Sequence, residues 1–163
     1  MLSQQQLKEL LHYEPITGVF TWLASTASRN KIGDIAGGKT SLGYTHIRIF
    51  GKLYLAHRLA WLYMTGCWPT KYIDHKNGTR DCNIWDNIRE CTQSQNAFNV
   101  CARSNNKSGF KGVSFHKASN KWLASAKING KSKHLGYFLT AENASAAYQS
   151  FAKMNHGEFF KGN

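Results

Sequence analysis

The sequence predicts an α+β protein of two small domains, residues 1–101 and 109–163, joined by residues 102–108. Three observations predict it. Short runs that alternate apolar and polar residues recur along the chain, interleaved with a few short segments of helical periodicity. The polar stretch ARSNNKS at 102–108 has the composition of a linker. Beyond it come strand-like runs, an Asn129-Gly130 turn and one amphipathic helix, the parts of a three-stranded antiparallel sheet packed by a helix.

Taken in order, Ser3 and Gln6 form a capping box, and Leu7, Leu10 and Leu11 make the apolar stripe of a short helix running to about His12. The helix must stop before Pro15, which disfavours helical backbone in the residue ahead of it. Residues 18–23, GVFTWL, read as a strand after a turn, and residues 24–40, rich in Ser, Gly and Lys, as a loop. Residues 44–50 alternate and turn at Gly51-Lys52 into a strand at 53–55. Residues 56–64 carry Leu59, Trp61, Leu62 and Tyr63, a mostly buried helix ended near Gly66. Residues 72–75 are a strand turned by Lys76-Asn77-Gly78, with Ile84, Trp85 and Ile88 as an apolar anchor and a helix from about Thr92 or Ser94. After the linker, strands are expected at 110–116, 121–129 and 132–138. Thr140 then caps a helix from Ala141 to about Asn155, with Ala144, Ala147, Tyr148 and Phe151 on one face.

Composition narrows the function. The 163 residues are 42% hydrophobic, enough for a modest core in each half. No apolar run reaches membrane-spanning length, and Met1-Leu2-Ser3-Gln4 lacks the layout of a signal peptide, so a cytoplasmic protein without membrane association is expected. Cys67, Cys82, Cys91 and Cys101 form no C-x-x-C pair, which argues for reduced thiols over zinc. The formal net charge of +12 is unevenly spread: +4 over residues 1–70, zero over 71–100 and +8 over 101–163. Eight basic residues and no acid lie between Cys101 and Lys133. Positive charge concentrated among aromatic residues is the footprint of nucleic-acid binding.

The electrically neutral segment 72–99, YIDHKNGTRDCNIWDNIRECTQSQNAFN, holds the reactive residue types. A carboxylate such as Asp74 and an amide oxygen such as Asn96 can hold a hard divalent cation. A neutral imidazole, His75, can then take a proton from water, and these parts suffice to hydrolyse a phosphodiester. Adjacent strand residues point to opposite faces, so Asp74 and His75 can serve one phosphate only if the strand twists or ends there. His57, on an apolar helix face, reads as a core histidine, and His12, His46 and His156 carry no comparable signal.

The series Asp74-His75-Lys76-Asn77-Gly78, then Asn83-Ile84-Trp85-Asp86-Asn87-Ile88-Arg89, then Asn96, resembles the HNH motif of ββα-metal nucleases. It is most similar to that of phage and intron-encoded homing endonucleases, with Asn96 in place of the final His. His57-Arg58 resembles the segment upstream of the motif in those proteins. The resemblance implies an HNH nuclease domain over residues 1–101. It implies His75 as general base, and Asp74 and Asn96 as ligands of one ion, Mg²⁺ or Mn²⁺. Asn87 would brace the loop and so orient His75. Arg89 or Lys76 could add positive charge at the phosphate.

The blocks Phe110-Lys111-Gly112-Val113, Lys121-Trp122-Leu123-Ala124, His134-Leu135-Gly136-Tyr137-Phe138 and Thr140 to Tyr148 resemble the APETALA2-type DNA-binding domain. That resemblance implies a sheet lying in the major groove of double-stranded DNA, with Lys111, His116, Lys121, Trp122, Lys127, Lys133 and His134 facing it. Lys and His stand where that family carries arginines. They lack the guanidinium fork suited to guanine, so phosphate and shape contacts should carry more of the binding. Trp122 fits core packing as well as DNA contact.

The expected function is a metal-dependent DNA endonuclease of the free-standing homing type, carried by phages and mobile elements. It would act as a monomer that nicks or a homodimer that cuts both strands. The alternative is a sequence-specific DNA-binding regulator that keeps an HNH fold without catalysis. Charge alone is also compatible with an RNA substrate.

Overall fold

The computed structural model describes residues 1–25, 30–99, 106–128 and 130–160, the side chain of His156 excepted. The chain divides into two compact units, Met1–Thr92 and Gln93–Asn163. Both are mixed assemblies of small antiparallel sheets and a few helices.

In the first unit, α1 (Gln4–Leu10) opens on its capping box: Ser3 Oγ accepts the Gln6 N–H at 3.1 Å, and Gln6 Oε1 accepts the Ser3 N–H at 3.0 Å. The helix is shorter than the leucine stripe suggests. The chain turns extended at Leu11, and β1 (Leu11–Glu14) pairs antiparallel with β2 (Val19–Trp22), Leu11 opposite Trp22. Burial decides against helical continuation. As strands, these residues place Leu11, Tyr13, Phe20 and Trp22 in the core, each at most 4% exposed, with His12 outside.

The expected loop at 24–40 is partly structured. Ile35 bridges Thr21, and β3 (Gly38–Lys39) pairs with β4 (Thr45–Ile49). Residues 26–29 of it lie outside the described residues. β4 turns into β5 (Lys52–Leu55) at Phe50-Gly51, one residue earlier than expected, with φ of 48° and 77°. Two left-handed residues make the hairpin turn whose twist matches the strands, and Phe50 adopts it at a steric cost that Gly51 avoids.

α2 (Ala56–Thr65) buries Ala56, His57, Leu59, Ala60 and Leu62, and ends where the Gly66 N–H caps the Leu62 carbonyl. β6 (Tyr72–His75) pairs with β7 (Ile88–Cys91), a strand where the sequence suggested only an apolar anchor. Ile73 and Ile88 join the core built on Leu7, Leu11, Phe20, Ile47 and Leu59.

The second unit contains α3 (Gln93–Phe98), β8 (Val113–His116), β9 (Lys121–Ile128), β10 (Lys131–Phe138) and α4 (Ala141–His156). The sheet runs β10-β9-β8, antiparallel throughout. Thr140 Oγ1 accepts the Asn143 N–H at 3.2 Å and starts α4. Ala141 and Ala144 pack on Val113 and Ala124, while Tyr148 and Ala152 pack on Ala126. Small residues on both surfaces let the helix approach closely. At Gly112 (φ 74°) a Cβ would run into the Tyr148 ring and the Ser125 carbonyl. Asn129 of the expected Asn-Gly turn, and residues 102–105 of the expected linker, lie outside the described residues. Among the described residues no helix is long and apolar enough to cross a membrane.

Candidate functional site

β6 ends at His75, and the chain turns away at once. The Gly78 N–H returns to the His75 carbonyl at 2.8 Å, and the Lys76 N–H bonds the Asn87 carbonyl at 2.8 Å. His75 is 4% exposed, and its Nε2 lies 3.2 Å from Asn83 Oδ1. The Asn83 Nδ2 donates to the Asp81 carbonyl at 3.3 Å, so the atom facing the ring is the amide oxygen. An amide oxygen only accepts, which puts the imidazole proton on Nε2 and the basic lone pair on Nδ1. Burial lowers His75 below the ordinary 6.5, outweighing the opposing pull of Asn83, Asp74 and Asp81. At neutral pH the ring is therefore uncharged and able to take a proton.

Asn83 is placed by the N-terminal hairpin. The Tyr13 hydroxyl donates to the Asn83 carbonyl at 2.6 Å, and the Trp85 N–H donates to the Pro15 carbonyl at 2.9 Å. Gly18 (φ 73°) sits so close to the Asn83–Ile84 backbone that no Cβ fits. Burial above all pushes the Tyr13 phenol up, so it stays a donor through the physiological range. Sequence reasoning gave neither the hairpin nor Asn83 a role. The signal that could have found Asn83 is its place as the first Asn of Asn-x-x-x-Asn.

Asn87 closes the loop from both sides. Its Oδ1 accepts the Asn77 N–H at 3.0 Å, and its Nδ2 donates to the Cys82 carbonyl at 2.7 Å. Asp74, 5% exposed, stands opposite Arg89 across the β6–β7 pair, and its Oδ2 accepts from Nε at 3.1 Å and Nη2 at 2.9 Å. Arg89, the residue considered for a phosphate contact, thus pairs with this carboxylate. Asn96 lies on α3 in the second unit. Among the described residues, no three His, Cys, Asp or Glu side chains cluster as metal ligands. Asp74, in the first unit, and Asn96, in the second, each carry the kind of oxygen donor that hard cations take.

His57 from α2 is 5% exposed and meets His75 edge to face, ring centroids 5.0 Å apart. Burial first, then His75 and Arg58, push it down to about 3, so it is a neutral ring.

In the second unit, register sorts the residues expected to face DNA. Ala124 and Ala126 point under α4, and Trp122, two residues before Ala124, packs with that cluster. Alternation puts Lys121, Leu123, Ser125 and Lys127 on the opposite, outer face. Cross-strand partners join them there: His116 opposite Lys121, His134 opposite Ser125, and Tyr137 opposite Leu123. The Tyr137 ring touches both His116, at 5.1 Å, and His134, at 4.9 Å. Tyr137, 44% exposed, is an outer-face residue that sequence reasoning missed. Regular alternation would place Tyr137 on the same face as the core residue Leu135; the register shift between His134 and Gly136 turns it outward, and the sequence carries no signal of that shift.

Lys133, paired with Ala126, belongs to the helix side of the sheet, at its exposed edge. Trp122 serves packing, because its ring is more valuable against Val113, Ala141 and Ala144 than in water. Lys111 donates its ammonium to the carbonyls of Ala97, at 3.1 Å, and Phe98, at 2.7 Å. It closes the C-terminal end of α3, where a cation offsets the exposed carbonyl dipoles.

Residues 54–98 match the model of a family described as HNH endonuclease. Over 118 residues the chain is 31% identical to an uncharacterized HNH endonuclease of Acanthamoeba polyphaga mimivirus, covering 72% of this chain and 60% of that protein. This chain therefore spans about three fifths of that relative's length. A solved structure described as DNA binding and cleavage by the HNH homing endonuclease I-HmuI is similar at 21% identity and a TM-score of 0.44, over 83% of this chain and 75% of that one. The matched segment 54–98 includes His57, Asp74, His75, Asn83, Asn87 and Asn96.

Proposed function

We propose that this chain is a metal-dependent DNA endonuclease of the HNH type, with its outer sheet face in the second unit as the DNA-binding surface. The observation that supports it best is the state of His75: buried, neutral, and held by Asn83 in the tautomer that leaves Nδ1 basic. A general base needs a neutral imidazole with one unprotonated nitrogen, and this state supplies it. In the reaction, Nδ1 takes the proton of a water as that water's oxygen attacks phosphorus in line. The P–O3′ bond breaks as the new P–O bond forms; the departing 3′ oxygen takes a proton from solvent, and His75 gives up its own to solvent. Asn87 keeps the 76–87 loop closed, so that Asn83 and His75 stay in register. Asp74 and Asn96 would hold Mg²⁺ or Mn²⁺, which when bound supplies charge neutralisation at the phosphate and the leaving oxygen.

Capture of DNA falls to the APETALA2-like sheet, since residues 71–100 carry no net charge and residues 101–163 carry +8. His116, Lys121, Lys127, His134 and Tyr137 are the contact residues on this reading. One site per chain suits nicking by a monomer, and a homodimer could cut both strands. A free-standing homing enzyme of a phage or other mobile element, working in the host cytoplasm, is the setting that fits. The rival reading is a DNA-binding regulator with an HNH fold and no catalysis.

Incubation with supercoiled plasmid separates the two. The enzyme should convert it to open-circular or linear DNA with Mg²⁺ and not with EDTA. Binding to duplex DNA without any metal-dependent cutting would favour the regulator. The binding face has its own test in the double variant Lys121→Ala with Lys127→Ala. Affinity for duplex DNA should fall, and the slope of log K against log salt should become shallower by about 2. Unchanged affinity at low salt would remove the outer face from the account.

A further inference from the structure

Two rings from separate elements flank His75 at the end of β6: Tyr44 where the chain enters β4, and His57 in the first turn of α2. We infer that Tyr44, anchored by Arg80, acts with His57 as a clasp that sets the plane of the His75 ring, which makes all three positioning residues for cleavage. The inference rests on His75 being the general base. Ring centroids lie 5.5 Å apart for Tyr44 and His57, 6.2 Å for Tyr44 and His75, and 5.0 Å for His57 and His75, the last pair at 88°. Asn83 fixes one corner of the imidazole at Nε2. The direction of the Nδ1 lone pair then depends on tilt about that corner, and flanking rings limit the tilt. Proton transfer demands this direction, since a displacement of about 1 Å costs on the order of a hundredfold in rate.

Tyr44 is half-buried and is held from its far side. The Arg80 guanidinium lies 5.2 Å from the centre of the Tyr44 ring, and its Nη1 donates to the Leu42 carbonyl at 2.8 Å. Lys39 pairs with Asp81 at 2.6 Å. Both contacts tie the β3–β4 connection to the residues just beyond the His75 turn. The loop leaving the base is thus fastened to the ring that flanks the base. Core packing alone does not account for His57. Among the described residues its buried Nδ1 has no hydrogen-bond partner, a penalty that Leu or Phe in the same space would not carry.

Single-turnover plasmid cleavage in Mg²⁺, run beside a DNA-binding titration, tests the clasp. Tyr44→Ala should lower the cleavage rate constant about tenfold or more with DNA affinity unchanged. Tyr44→Phe, which keeps the ring, should recover most of that loss. Arg80→Met changes an exposed residue, so it keeps the test available if Tyr44→Ala fails to fold; about a threefold loss is expected. A wild-type rate constant in folded Tyr44→Ala, or in Arg80→Met, overturns the clasp. If the wild type cuts nothing, the nuclease reading falls separately, and NMR of the His75 ring nitrogens judges the clasp. One Nε2–H tautomer is expected in the wild type and a mixture in the Tyr44 and Arg80 variants; identical spectra overturn it.

Discussion

His75→Ala should lower the DNA cleavage rate by about 10²- to 10⁴-fold, the usual contribution of a positioned general base, while duplex affinity stays within about twofold. The two quantities separate because capture is assigned to a basic sheet far along the sequence from the neutral catalytic segment. Truncation leaves the Asn83 amide oxygen without its ring partner, which costs stability on the order of 1–3 kcal/mol. Folded fraction should therefore be measured alongside rate. In the wild type, the rate should rise with pH as His75 loses its proton and then level off. Since burial lowers His75 below 6.5, that rise should lie on the acid side of 6.5. A folded His75→Ala that cuts at the wild-type rate would falsify the assignment of the base.

Mild acid should destabilise the first unit, and His57 should be a large part of the reason. In the unfolded chain His57 takes a proton near 6.5; in the fold, burial pushes it down to about 3. Above 6.5 both states leave it neutral and it contributes nothing to the pH dependence. Between 6.5 and 3 the unfolded state binds a proton that the folded state refuses, so stability falls as pH falls. The gap sets a ceiling of about 5 kcal/mol, with about 3 kcal/mol lost by pH 4. Against a typical margin of about 5–15 kcal/mol this decides whether the fold survives. Four of the five tryptophans lie in residues 1–92, so urea melts followed by tryptophan fluorescence at pH 7 and pH 4 report on this unit. His57→Leu should flatten the dependence. Equal pH slopes in His57→Leu and wild type would show that this imidazole is not what acid attacks.

Much of the site was legible because its logic is local. The capping box of α1 and the Thr140 cap of α4 depend on partners three residues away, and both form. The reactive types, Asp74-His75 with Asn87 and Asn96, stand within one short segment, and the resemblance of that segment to the HNH motif pointed to phosphodiester chemistry. Misreadings occurred where distant packing overrode local pattern. A leucine stripe at 7, 10 and 11 favours helix, yet Leu11 leaves it because a strand opposite Trp22 buries more apolar surface. Within the basic aromatic stretch, Lys111 fits DNA contact, and Trp122 fits packing and DNA contact equally, so local pattern does not say which partners they take in the fold. In the fold, one closes α3 and the other packs under α4.

By itself, then, the sequence determined the reactive residue types, their order, the charge division and the short-range caps and turns, all of which act within a few residues. Only the tertiary structure decided which nitrogen of His75 carries the proton, because that rests on Asn83, eight residues on. Asn83 is in turn placed by Tyr13, seventy residues earlier in the chain. Strand register likewise decided which lysines reach the outer face, since a shift of one residue would exchange Lys121 and Lys127 for Trp122 and Ala126. Directions of lone pairs and side chains are set by contacts across the fold, and residue spacing does not encode them.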